Sequence, residues 1–396
     1  MEEQKKIMII GAGILQVPAI IKAKEMGLKV IAVDMDPKAP GFKLSDESIQ
    51  LSTIDIEGLL KKALELKPDA VMTLASDMPM RTVAAIGEKC GLKTISSQTA
   101  LNATDKGEMR KKLKEMNIPI PKFHITSSIE QYSKLIRKFN GKFIVKPADN
   151  SGSRGIFLVD DVSHSTEAFY HAKEHSRSGD ILIEEYMTGP EVSVESLTID
   201  GVTHVIAITD KLTTGAPHFI EMGHSVPSQL PSYIQKEIIE LAINAVKAIG
   251  IVVGPSHTEI IVTSDGPKIV ELGARLGGDN ITTHLVPLAT GIDMVEGSIR
   301  LALGETIEIY RKQKNGSAIR YLNSPKGILD SVSFLEKAKS ISGVEDIVIT
   351  KEIRSKITDL NSSNARVGYV IAKADSPNRA IKICEEAINH IDINVI

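Results

Sequence analysis

The sequence predicts an α/β protein with a doubly wound parallel-sheet domain first, a strand-richer middle, and a small α+β module last. Three observations predict it. The first third alternates short apolar runs with helical patterns, as βαβ units do. The middle third carries closely spaced β-type runs. After Leu303-Gly304 the pattern returns to mixed strands and helices.

The elements follow in order. Lys6–Ile10 reads as a strand, Val17–Met26 as a helix, Lys29–Val33 as a strand, Glu57–Leu66 as a helix, Ala70–Leu74 as a strand and Pro79–Lys89 as a helix. Asp105–Met116 reads as a helix capped by Thr104 or Asp105, and Pro119 and Pro121 mark a junction after it. Lys142–Lys146, Gly155–Val159, Ile181–Glu185, Glu191–Thr198 and His204–Thr209 read as strands. The polar stretch Asp210–Pro231 has no clear period and predicts a lid or functional loop. Ser232–Ile249 is a helix. Thr258–Thr263 and Lys268–Leu272 form a hairpin through Ser264-Asp265-Gly266. The expected domains are residues 1–100, 101–305 and 306–396, the second divided into a lid-like part, 122–190, and a central part, 191–305.

Composition narrows the function. The chain has 396 residues, 42% hydrophobic and 24% charged, normal for a soluble globular protein. A formal net charge of −3 without a basic stripe argues against nucleic acid. No apolar run approaches the roughly 18 residues of a membrane helix. The first residues lack the apolar core of a signal peptide, so a cytoplasmic location is expected. Cys90 and Cys384 have no partner pattern, which excludes a disulfide framework and a zinc site as expectations.

Three segments carry chemistry. In Phe143–Gly155 a strand ends in Lys146, and a small polar loop follows. Ser151, Gly152, Ser153 and Gly155 there let backbone N–H groups approach phosphate oxygens, with Lys146 adding charge. It is not a P-loop, which needs GxxxxGK[ST] before a helix. In Ile181–Val194 an apolar strand runs into Glu184, Glu185, Tyr186 and Met187. That backbone can bind an adenine edge, Tyr186 or Met187 can wall it, and Glu191 can accept from ribose hydroxyls. In His257–Arg275, Glu259 and Glu271 sit on the two hairpin strands at positions that antiparallel pairing can bring onto one face. Two such carboxylates are costly together unless a cation lies between them, and magnesium suits carboxylates plus phosphates.

The order Asp105-Lys106, Lys146 and its loop, Glu184–Met187 with Glu191, Glu259, Glu271 and Arg275 resembles the ATP-grasp superfamily over nearly the whole chain. The resemblance implies that Lys106 and Lys146 contact ATP phosphates, that Glu184, Glu185 and Met187 line the adenine site, that Glu191 holds the ribose, that Glu259 and Glu271 bind Mg2+ (with Mn2+ as an alternative), and that Arg275 steadies the acyl phosphate. One position departs: Gly273 stands where many members carry a metal-binding asparagine. Within the superfamily the chain looks most like L-amino-acid ligases and related carboxylate–amine ligases. That rests on Lys211–Pro227, His257-Thr-Glu259, Glu271–Asp279, Ala318–Leu322 and Ala365–Tyr369. It implies small-molecule carboxylate and amine substrates and a homodimer. Glu221, His224, Arg275, Gly277 and Gly278 become substrate candidates. His218 joins the loop cluster, and His257 is a candidate phosphate or substrate contact. The expected chemistry is phosphorylation of a carboxylate by ATP, then attack of an amine. A purine-biosynthesis type enzyme acting on a ribonucleotide and a degenerate ATP-binding protein are the alternatives.

A competing signal lies at the N-terminus. Gly11-Ala-Gly13 follows a strand, precedes a helix, and is followed by Asp34 at the end of the next strand, as in dinucleotide-binding folds. Gln16 replaces the third glycine, so no nicotinamide site is expected. Asp77 either faces the cleft or caps the helix after Pro79.

Overall fold

The computed structural model describes residues 4–150 and 154–396. The candidate loop residues Ser151, Gly152 and Ser153 lie outside the described residues.

The chain opens with strands β1 (Lys6–Ile10), β2 (Lys29–Asp34), β3 (Glu47–Gln50) and β4 (Ala70–Met72), which form a parallel sheet in the order β3-β2-β1-β4. Helices α1 (Val17–Glu25), α2 (Ile56–Leu66) and α3 (Met80–Cys90) connect and cover it. Both faces of β1 are buried: Ile7 and Ile9 join one core cluster, Met8 and Ile10 another. That explains its unbroken apolar run. Helices α4 (Ser97–Thr104) and α5 (Lys106–Glu115) follow; Asp105 caps α5 by accepting from Glu108 N at 3.0 Å.

A second, antiparallel sheet has the order β5-β8-β6-β7, with β5 Phe123–Thr126, β6 Phe143–Pro147, β7 Phe157–Val159 and β8 Ile181–Glu185. Helices α6 (Ile129–Leu135) and α7 (Ser165–Glu174) close its own core around Tyr132, Phe143 and Phe169.

The largest sheet has eight strands in the order β13-β12-β9-β10-β11-β14-β18-β16. Its first part comprises β9 (Glu191–Ile199), β10 (Val202–Thr213), β11 (Glu221–Val226), β12 (Gly254–Thr263) and β13 (Gly266–Gly273). Helix α8 (Ser232–Ile249) packs on it. A single π-type turn at Ile281–Leu285 leads into α9 (Val286–Thr290) and α10 (Met294–Ala302). The rest of the sheet comes from the C-terminal segment, as β14 (Gly316–Leu322), β16 (Val344–Ile349) and β18 (Gly368–Ala374). Strands β15 (Gly327–Ser333), β17 (Lys356–Ile357) and β19 (Asp392–Val395) form a small sheet, and α11 (Leu335–Lys339) and α12 (Pro377–His390) cover this segment. Among the described residues no helix is long and apolar enough to cross a membrane.

One expectation is corrected here. Asp210–Pro231 is not a lid. Strand β10 runs on to Thr213, and β11 lies inside the sheet between β10 and β14. Residues 214–220 and 227–231 are left as connections. Glu221 and His224 broke the apolar alternation because both line a polar cavity rather than an apolar core.

Candidate active site

Helix α5, strands β6, β8, β9, β12 and β13, and the turn after β8 bring the predicted groups to one cleft. The first turn of α5 carries Lys106, whose buried Nζ donates to Glu271 Oε1 at 2.7 Å and to Asn150 O at 2.8 Å. Strand β6 carries Lys146, 2.6 Å from Glu184 Oε2 on the adjacent β8. Strands β12 and β13 carry Glu259 and Glu271, which are direct partners in the antiparallel register. The two carboxylates therefore share one face, and a register shift between Glu259 and Ile260 is what aligns them. Lys106, Lys146, Glu184, Glu185, Tyr186, Met187, Glu191, Glu259 and Glu271 all line one cavity of about 420 Å³.

Some assignments shift in detail. Glu184 is nearly fully buried, and its carboxylate is held by Lys146 and by Arg110 Nε. Burial opposes its charge, but Arg110 and Lys146 outweigh burial and bring its carboxyl down to about 2. It lines the cavity as a paired anion, so its side chain is not a free acceptor. Gly155 is not on this cavity. It lies beside a neighbouring one, where a Cβ would sit 2.6 Å from His175 Cβ. The connection 214–220 contributes Phe219, 6.2 Å from Tyr186 between ring centroids.

Lys211 is the centre of the site. Its side chain is 4% exposed, and its Nζ lies 2.6 Å from Glu191, 3.0 Å from Glu259 and 3.7 Å from Glu221. Burial works against its charge, but Glu259, Glu191 and Glu221 raise its pKa well above the usual lysine value. Glu191 thus faces Lys211 as well as the cavity where a ribose is expected. His257 Nδ1 donates to the buried Glu195 Oε1 at 2.7 Å, and its Nε2 faces Glu259 at 3.4 Å. Against burial, Glu195 and Glu259 push the imidazole up to about 9.

A second cavity, of about 270 Å³, holds Asp77, His224, His257, Arg275 and Gly278. It shares Lys211, Glu221, Glu259 and Glu271 with the first. Gly277 lines the next cavity along, and a Cβ there would press on His257 and Glu195. Asp77 faces the cleft rather than capping α3, and it grips Arg275 with both carboxylate oxygens, at 2.8 and 3.0 Å. His224 Nε2 lies 3.5 Å from Asp279. Asp279 also accepts from Arg366 at 2.8 and 2.9 Å, and that guanidinium stacks on Tyr321 at 3.6 Å. His218 stays on the exposed 214–220 connection and lines the cavity of Gly155, apart from His224.

Sequence reasoning missed Lys211, Arg110, Glu195, Asp279 and Arg366. Arg110 had a signal, since it falls four residues after Lys106 on one helix face. Lys211, Asp279 and Arg366 lay inside the segments that carry the resemblance, but nothing in the sequence shows that Asp279 and Arg366, 87 positions apart, meet. At the N-terminus Asp34 accepts from Ala12 N at 2.9 Å, and the buried Gln16 side chain covers Gly11. A pyrophosphate needs that space.

Residues 139–283 match the model of the ATP-grasp domain, so the chain is a protein with an ATP-grasp domain. Residues 320–395 match the L-amino acid ligase C-terminal domain 2, which places the same type of module after it. Over the whole chain it is 24% identical to phosphoribosylamine–glycine ligase of Methanococcus maripaludis, covering 97% of this chain and 93% of that one. It is 25% identical to alanine–anticapsin ligase of Bacillus subtilis over 61% of this chain and 55% of that one. The crystal structure of L-amino acid ligase from Bacillus licheniformis shares the fold, with a TM-score of 0.87, 23% identity and full coverage of both chains.

Proposed function

We propose that this protein is an ATP-dependent carboxylate–amine ligase acting on amino acids, with ADP and phosphate as co-products. The observation that carries the reading is the wall shared by the two cavities. Lys211, Glu221, Glu259 and Glu271 border both the cavity suited to a nucleotide and the one suited to a second substrate. A phosphoryl group presented from one side is thereby within reach of a carboxylate on the other.

In this reading residues 1–100 supply the second-substrate face, 101–305 the nucleotide site and 306–396 a cover. Lys106 and Lys146 neutralise phosphate charge, and Glu191 and Met187 hold the nucleoside. The donor set fits magnesium: Glu259 and Glu271 are opposed, and Lys106 and Lys211 now supply the positive charge beside them. Among the described residues no group of three or more His, Cys, Asp or Glu side chains forms a metal cage. Mg2+ held by one or two carboxylates plus phosphates needs none. When bound, the ion offsets charge on the transferring phosphoryl group. Arg275 and His257 face the second cavity, placed to stabilise the oxyanion formed when the amine adds to the acyl phosphate carbonyl.

A ribonucleotide substrate, as in the phosphoribosylamine–glycine ligase relatives, calls for free cations beside the second cavity. Arg366 lies on the next cavity along and is held two-point by Asp279, which leaves Arg275, paired with Asp77, as the single guanidinium lining the second cavity among the described residues. This favours unphosphorylated amino acids. The test is ADP release across pairs of amino acids, with the product identified by mass. Release only with a phosphorylated ribosyl substrate would overturn the reading.

A further inference from the structure

The glycine-rich loop at the N-terminus is left without a nucleotide to bind, yet its packing leads into the site. Gln16 is 7% exposed and donates from Nε2 to Leu74 O at 2.6 Å. Gly11 and Gly13 leave room for it: a Cβ at either would approach the Gln16 amide to 3.0 and 3.3 Å. Thr73 Oγ1 ties the same stretch to Ile10 O at 2.7 Å. Leu74 leads into Ala75, held at φ +56°, a left-handed conformation that an alanine adopts only when its surroundings impose it. Two residues on, Asp77 holds Arg275 with both oxygens.

Gly273 completes the arrangement. Its backbone angles suit any residue, but a Cβ there would lie 2.7 Å from Asp77 Oδ1 and 3.1 Å from Arg275 Nε. An asparagine at 273 and this Asp77–Arg275 pair compete for the same volume. A side chain at 273 would have to displace the Asp77 carboxylate from Arg275.

We propose that Asp77 is a positioning residue, fixed by Gln16 through the Leu74–Ala75 turn, which sets the Arg275 guanidinium in the second cavity and requires glycine at 273. This rests on the ligase reading for its functional consequence, but not for the placement itself. The N-terminal loop thereby acts as a bracket for the catalytic arginine.

The test compares wild type with Gln16→Ala, Gly273→Ala, Asp77→Asn and the Gln16→Ala/Gly273→Ala pair, in ADP release and thermal unfolding. A misplacement of about 1 Å can cost roughly 100-fold in rate. The expected result is a fall in kcat of about tenfold or more in each single variant, with KM for ATP within about twofold of wild type. The double variant should fall no further than the worse single one, because both act through Asp77. Wild-type kcat in Gly273→Ala, or independent losses that multiply, would overturn the proposal. If Gln16→Ala does not fold, Gly273→Ala alone decides. If wild type releases no ADP with any carboxylate and amine, the ligase reading fails separately. Crystal structures of Gln16→Ala and Gly273→Ala then decide the placement: a displaced Arg275 in both supports it, and an unmoved one in either refutes it.

Discussion

Glu271 sits directly opposite Glu259 in the β12–β13 ladder, yet each carboxylate binds a different lysine, Lys106 at 2.7 Å and Lys211 at 3.0 Å. The pair is thus charge-balanced from two sides of one wall. Replacing Glu271 by Gln keeps the shape and removes the charge. Turnover should fall by at least about 100-fold, the scale on which a lost transition-state electrostatic partner acts. Titrating Mg2+ into an ADP-release assay checks it; a variant with normal turnover and normal Mg2+ dependence contradicts the metal assignment.

Lys211 is the buried cation for Glu191, Glu259 and Glu221. Lys211→Met would leave those carboxylates facing one another in the interior. Breaking a buried pair from one side costs about 3–5 kcal/mol. Urea unfolding should register a loss of that order, and a loss below about 1 kcal/mol would mean that water already screens the cluster.

Asp279 gives a pH dependence with a definite sign. Its carboxyl is pushed well below the ordinary range: burial opposes the charge, but His224 and Arg366 outweigh it. A group depressed in the folded state stabilises above its unfolded value, about 3.9 for Asp, and the stability is lost as pH falls through the folded value. The gap in unfolding midpoint between wild type and Asp279→Asn should be full at neutral pH and shrink below about pH 4. A gap that stays constant on acidification would exclude this role.

Gln16 predicts a negative result with a physical cause. Its side chain occupies the space over Gly11 that a pyrophosphate requires. NADH fluorescence should not change on adding the protein, whereas ATP should protect it against thermal unfolding. Saturable NADH binding would reverse that expectation.

Local pattern accounts for what was legible in the sequence. The β12–β13 hairpin was readable as two strands because alternation and a tight turn mark them, but its register was not: the turn alone would set Glu259 against Val270, and a bulge between Glu259 and Ile260 brings it opposite Glu271. Strand β3 escaped notice because Ile49 is its one buried residue, so no alternation shows. Helix α4 (Ser97–Thr104) is short and polar, with little apolar stripe to betray it. The candidate site divides the same way. Lys106, Lys146, Glu184, Glu185 and Glu191 lie at or next to element ends and Glu259 and Glu271 lie within one hairpin, where motif order locates them. The Asp77–Arg275 and Asp279–Arg366 pairs join segments remote in sequence, and only the packed fold shows which carboxylate meets which guanidinium.

Strand β11 is hydrogen-bonded to β10 on one side and to β14 on the other. The last segment of the chain is therefore stitched to the catalytic half through its backbone, not tethered by a linker. A chain cut before Gly316 would bare a raw margin on β11, an invitation to pair with a stranger. The module is no interchangeable cassette: an engineer grafting it from a relative would have to transplant its ladder as well as its side chains.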